Sequence, residues 1–205
     1  NPTAIAGLRP GEVVLDLGSG AGFDSFLAAA RVTESGKVIG IDFSSEMIRK
    51  AKDIARTRHI GNVEFVHADI EELPLPAESV DVAISNCVLN LIPDKHRVYQ
   101  GVYNVLRSGG RISIADVALL QPMPPGMNLQ SLANCLHSSI LVVEYENLLK
   151  QIGFCNVRIT AKSVGDCFSN DSADPFGRSI AGQFDAAAIL PEDYIASILI
   201  EAIKP

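Results

Sequence analysis

Basic residues are scarce in this 205-residue chain, with 17 lysines and arginines against 24 acids and a formal net charge of −7. They are scattered, which excludes a nucleic-acid partner that would need a clustered positive surface. No apolar run approaches the ~18 residues of a membrane span, and no charged-then-apolar leader opens the chain. Repeats and low-complexity tracts are also absent. These absences predict a soluble cytoplasmic protein whose partners are small molecules, with no membrane contact. The chain starts at Asn1 without a methionine, as a trimmed or partial product would. Its four cysteines, Cys87, Cys135, Cys155 and Cys167, contain no C-x-x-C pair, so a structural metal site is not expected and an intracellular chain keeps them reduced.

Apolar residues are plentiful: 47% of the chain is hydrophobic and 20% charged, enough to bury a core in one domain spanning 1–205. The most informative stretch is Val14-Leu15-Asp16-Leu17-Gly18-Ser19-Gly20-Ala21-Gly22, an apolar strand ending in a carboxylate and three alternate glycines. A helix from Phe23 to Arg31 follows at once. The glycines let the backbone turn tightly and let a ligand approach the main chain. A dinucleotide fingerprint would need a third glycine at Phe23, and a pyrophosphate gains nothing from Asp16 beside it. A cationic amino group does gain. The pattern D-x-G-x-G-x-G resembles the first motif of the class I S-adenosylmethionine methyltransferases.

Lys37 to Asp42 reads as a second strand closing on an acid that can accept from both hydroxyls of a ribose. Asn62 to Ala68 reads as a third, with Asp69 placed to read an adenine edge. Taken singly, each acid suits a helix cap or turn. At the C-termini of successive strands, where open α/β sheets bind ligands, the set points to a cofactor site. Ser44 or Ser45 caps a helix to about Arg58, with Met47, Ile48, Ala51, Ile54 and Ala55 on its apolar stripe. Val80 to Ser85 is a fourth strand. Pro93 to Leu106 is a helix begun by proline and stopped by Ser108-Gly109-Gly110, and Arg111 to Val117 is the fifth strand. Met127 to Ile140 has a weaker helical pattern. A short helix ends at Ile152 before Gly153, Val157 to Ala161 is the sixth strand and Tyr194 to Ile203 the seventh. The stretch Lys162 to Asp193 is long for a loop and is expected to carry function or mobility, with Ser163 to Pro191 ordering only around a substrate. The predicted fold is α/β, a doubly wound, seven-stranded, mostly parallel Rossmann-like sheet.

Further segments carry a closer resemblance. Leu8-Arg9-Pro10-Gly11-Glu12, Val14 to Phe26, Gly36 to Asp42, Ile84-Ser85-Asn86-Cys87-Val88-Leu89-Asn90-Leu91 with Pro93-Asp94-Lys95, and Val105-Leu106 with Gly109-Gly110-Arg111 together resemble the arsenite methyltransferase family. The match is strong over 1–118 and looser beyond. It implies a cofactor-binding core at 1–118, a C-terminal part at 119–205 with substrate-covering segments and the last two strands, and S-adenosyl-L-methionine as cofactor. The cofactor contacts it implies are Asp16, Gly18, Ser19, Gly20, Gly22, Asp42, Phe43, Met47, Asp69, Ile70, Asn86, Cys87 and Asn90.

The resemblance also sorts the thiols. Cys155, opening the sixth strand, reads as a buried apolar residue far from the cofactor, and Cys87 as a wall of its pocket. Cys135 and Cys167 resemble family thiols over the methyl group, and soft trivalent arsenic prefers thiolates, so these two are the expected catalytic residues and arsenic ligands. The implied function is methyl transfer to arsenite or a thiol-bound trivalent arsenical, in the service of arsenic detoxification, with a small thiol as reductant. Two alternatives stay open: methylation of a small organic oxygen or carbon nucleophile, and binding of the cofactor without turnover.

Overall fold

The computed structural model describes residues 6–124, 136, 138–164, 184 and 190–205. One seven-stranded sheet organises them, in the order β3-β2-β1-β4-β5-β7-β6. The strands are β1 (Val13–Leu17), β2 (Lys37–Asp42), β3 (Val63–His67), β4 (Val80–Asn86), β5 (Leu106–Leu119), β6 (Cys155–Ser163) and β7 (Ile195–Ile203). The helices are α1 (Phe23–Val32), α2 (Ser45–Thr57), α3 (Lys95–Val105) and α4 (Val142–Ile152). Strands β1 to β5 run parallel, and β7 inserts antiparallel between β5 and β6. The predicted doubly wound, mostly parallel sheet is thus the observed one.

Strand alternation decides what each face meets. Leu15 and Leu17 of β1 join Ile39, Ile41, Val98, Tyr99 and Val102 in the core beneath α3 and α4, whereas Val14 joins Ala28, Ala29 and Val32 of α1 on the opposite face. Asp16 shares the parity of Val14, so it is buried facing α1 and not at the strand's open end. β1 lies between β2 and β4, with Val14 opposite both Val38 and Val82. Its near-continuous apolar sequence is what a strand covered on both faces requires.

Several boundaries differ from those expected. Pro93 lies outside α3, which is capped by Asp94 accepting the amide of Arg97 at 3.0 Å. Ser108-Gly109-Gly110 does not stop that helix. The helix ends at Val105, β5 starts directly at Leu106, and the three residues form an irregular opening of the strand, since Val80 pairs with Leu106 but Val82 with Arg111. Lys204 makes this possible: the amide of Gly109 donates to its carbonyl and its amide donates to Gly110, both at 2.8 Å. Strand β3 is shorter than expected, leaving Asp69 two residues past its end, and β6 is longer. The weak helix over 127–140 and the stretch 163–191 lie largely outside the described residues.

Candidate active site

The loop after β1 is shaped by its glycines. Gly18 has φ +68°, and a Cβ there would lie 2.4 Å from Cγ2 of Val88, two residues past the end of β4. Its amide and that of Ser19 donate to the carbonyl of Ile41 at 2.8 and 3.0 Å, tying the loop to the end of β2. Gly22, at φ +91°, caps α1 in a left-handed conformation closed to a larger residue by the Phe65 ring.

Asp42, the last residue of β2, is the hub. Its Oδ2 accepts the amide of Gly20 at 2.9 Å and its Oδ1 that of Ser44 at 2.8 Å. Two fixed bonds orient the carboxylate and leave further lone pairs free to accept. Beside it lies a cavity of about 390 Å³ lined by Gly18, Asp42, Phe43, Asp69, Ile70, Glu71, Val88, Leu91 and Ile92. That volume is in the range of small-molecule sites, and its walls are mainly apolar with a few acids, as such sites require. Asp69 is fixed in its turn by accepting the amide of Glu71 at 2.9 Å.

Behind the loop, Asp16 is 2% exposed and accepts the hydroxyl of Ser25 on α1 at 2.5 Å. Burial pushes its carboxyl up to about 7, the Ser25 bond opposes this, and the charges of Asp24 and Asp42 add to it. Asp24, in the first turn of α1, accepts Nδ2 of Asn86 from the end of β4 at 3.1 Å. Three carboxylates therefore converge at the edge where β1, β2 and β4 end, a place that favours a bound cation.

Of the expected contacts, Gly18, Asp42, Phe43, Asp69 and Ile70 line the cavity and Gly20 donates its amide to Asp42 there, whereas Asp16 is bonded to Ser25 and Asn86 to Asp24, outside that lining. Met47 is half-buried in the first turn of α2, its amide donating to Ser44. Ser19 is buried, and Cys87 is exposed in a left-handed turn with its amide on Ala115. Asn90 is buried and accepts the hydroxyl of Tyr145 at 3.4 Å. Cys155 pairs with Ile203 at the end of the sheet opposite the cavity. Cys135 and Cys167 lie outside the described residues.

The sequence reading missed Ser25, Lys95 and Asp116. Burial lowers Lys95 to about 8 against the charge of Asp116, and burial raises Asp116 to about 6 against the amides of Val117, Asn90 and Leu89 and the charge of Lys95. Their signals were present: a lone acid inside the apolar run of β5, and a cation in a helix's first turn, where the dipole disfavours it. A larger hollow of about 800 Å³ lies at the opposite end of the strands, among Gly36, Lys37, Asn62 and Val63 where β2 and β3 begin, and none of the expected site residues lines it.

The chain is similar to known methyltransferases in sequence and in fold. An arsenite methyltransferase of Halobacterium salinarum is 44% identical over the whole of this chain and half of its own length. The human arsenite methyltransferase is 35% identical over 74% of this chain and 43% of its own. The chain spans about half the length of these curated relatives. The crystal structure of an arsenic(III) S-adenosylmethionine methyltransferase from Chlamydomonas reinhardtii superposes with a TM-score of 0.77 at 28% identity, covering 98% of this chain and 65% of that one. A family profile described as a methyltransferase domain matches residues 8–168, and the chain belongs to that family.

Proposed function

We propose that this chain is an enzyme that binds S-adenosyl-L-methionine in the 390 Å³ cavity and methylates arsenite or a thiol-bound trivalent arsenical. The observation that carries the reading is the Gly18–Val88 cradle beside the doubly anchored Asp42, with Asp16 buried behind it. The residues fit the cofactor: a glycine where a Cβ would close the cavity, an oriented carboxylate for vicinal hydroxyls, apolar walls for a flat base, and acids for an ammonium. When bound, the cofactor supplies a methyl group already activated as a sulfonium.

The chain's own work is then orientation. Asp42 accepts from the ribose, Asp69 and Ile70 frame the adenine, and the Asp16–Asp24–Asn86 group receives the amino acid end. Holding donor and acceptor in near-attack geometry contributes roughly 7–11 kcal/mol without a strong acid or base. In this reading residues 1–118 hold the cofactor and 119–205 cover the acceptor. Cys135 and Cys167 hold arsenic as thiolates, a role that rests on their sequence resemblance and on the softness of arsenic(III). The arsenic lone pair would form the new bond to the methyl carbon as the carbon–sulfur bond breaks, S-adenosylhomocysteine leaving with that electron pair and the arsenic becoming pentavalent. Two small thiols then supply the two electrons that return it to the trivalent state and leave as a disulfide. The cytoplasm, where such thiols stay reduced, is the proposed setting.

Similarity to arsenite methyltransferases supports the choice of acceptor. Cys135→Ser tests it. The variant should lose arsenite methylation while keeping its affinity for S-adenosylhomocysteine, because a hydroxyl is a hard ligand and un-ionised at neutral pH. Cys155→Ser should retain activity. Wild-type rates in Cys135→Ser would favour a small organic nucleophile as acceptor instead.

A further inference from the structure

Lys95 is 4% exposed, and a lysine so buried must have its ammonium satisfied. Its Nζ donates to the carbonyl of Leu89 at 3.0 Å and to that of Ile92 at 2.9 Å. Leu89 opens the 3-10 turn Leu89–Leu91 that follows β4, and Ile92 is the residue that caps it. From the other side comes Asp116 of β5, 1% exposed, whose Oδ2 accepts the amide of Asn90 at 3.1 Å while its Oδ1 accepts that of Val117 at 2.9 Å. One short turn is thus held by its carbonyls through an ammonium on α3 and by an amide through a carboxylate on β5.

The turn is also a wall of the cavity. Val88, Leu91 and Ile92 line it, facing Gly18 and Asp42. By itself the turn has only two internal bonds, Leu91 to Val88 and Ile92 to Leu89, both at 3.0 Å. A 3-10 turn of this length has poor intrinsic hydrogen-bond geometry and does not hold its position unaided. Its displacement would be felt at once, because Gly18 already packs against Val88 closely enough to exclude a methyl group.

We propose that Lys95 and Asp116 are positioning residues for the cofactor: together they hold the turn Leu89–Leu91 against the glycine loop and so set the width of the cavity. Neither lines the cavity, so both act through the turn. The inference rests on the reading that the cavity holds S-adenosylmethionine, and it adds a requirement that the glycine loop and its acids do not contain.

Calorimetric titration with S-adenosylhomocysteine, joined to hydrogen exchange of the segment 87–92, tests it. Lys95→Met should weaken binding at least tenfold and speed exchange of that segment in the ligand-free protein. Asp116→Asn keeps an acceptor but loses the charge, and should give a smaller loss of the same kind. The control is Lys204→Met, which removes a lysine 9% exposed whose Nζ donates to the Leu106 carbonyl at 2.7 Å where β5 begins, at the end of the strands away from the cavity. It should lower the melting temperature yet keep affinity within twofold. If Lys95→Met does not fold, Lys95→Gln, which keeps an NH2 donor group but loses the charge and reach of the ammonium, takes its place. Equal affinity in wild type and the Lys95 variant overturns the proposal. So does an equal loss in the Lys95 and Lys204 variants, since the effect would then be general destabilisation. A wild-type protein that does not bind S-adenosylhomocysteine would instead overturn the cofactor reading beneath it.

Discussion

Replacing Asp16 by Asn should make the ligand-free protein more stable and its cofactor complex weaker. The carboxyl moves from an ordinary 3.8 to about 7 in the folded chain, chiefly through burial. A raised carboxyl favours the fold below its unfolded value and loses that benefit as pH rises through its folded value. At pH 8, above both, the ionised group therefore burdens the fold by roughly 4 kcal/mol, and at pH 5 by roughly 1–2 kcal/mol. Asn keeps an oxygen to accept from Ser25 and carries no charge, but leaves an amide to satisfy. A net gain of about 1–3 kcal/mol at pH 8 remains, or roughly 3–10 °C for a domain of this size. The gain should shrink markedly at pH 5. On the binding side, an ammonium beside Asp16 should ionise it, so wild-type protein at pH 6 should release close to one proton on taking up S-adenosylhomocysteine, while Asp16→Asn releases none and binds more weakly. Thermal melts at the two pH values, with calorimetry in buffers of different ionisation enthalpy, read both effects. A variant less stable than wild type at pH 8, or equally stabilised at both pH values, would refute the reasoning.

Asp42→Ala removes a charged acceptor and frees the amides of Gly20 and Ser44, so calorimetry should show S-adenosylhomocysteine affinity falling about ten- to a hundredfold. Unchanged affinity would remove Asp42 from the site. Gly18→Ala forces a Cβ against Val88 at a left-handed φ, and should cost at least about 1 kcal/mol in denaturant melts and abolish cofactor binding. At the other edge, Arg111 donates to both oxygens of Glu12 at 2.7 and 3.0 Å and to the carbonyls of Ala6 and Gly7. Burial pushes Glu12 up, but Arg111 and the Arg9 amide outweigh it and hold the carboxyl below its usual 4.5. Its contribution is therefore present above that pH and lost as pH falls through the lower folded value. Glu12→Gln should cost about 1–3 kcal/mol at pH 7 and less in acid, leaving cofactor affinity unchanged.

What was legible in the sequence follows the range of the forces involved. Val14 to Gly22 declares its strand and turn because apolar patterning and glycine act locally, and Asp42 closing β2 shows in the same way. Longer-range partners do not show. Ser25 reaches Asp16 only because strand parity turns that carboxylate toward α1, and nothing near Gly109 and Gly110 reveals that Lys204 lets β5 run through them. Lys95 and Asp116 stand 21 residues apart. Each reads alone as a polar interruption, and only the packing of α3 beside β5 makes them a pair around one turn.

Product analysis bears most directly on the central claim. Incubated with S-adenosylmethionine, arsenite and a small thiol, the protein should form methylated arsenic, with one S-adenosylhomocysteine released for each methyl group transferred. Chromatography coupled to arsenic-specific mass detection would measure the methylated arsenic, and chromatography with ultraviolet absorbance the S-adenosylhomocysteine. No methylated arsenic from protein shown to bind S-adenosylhomocysteine would contradict the account.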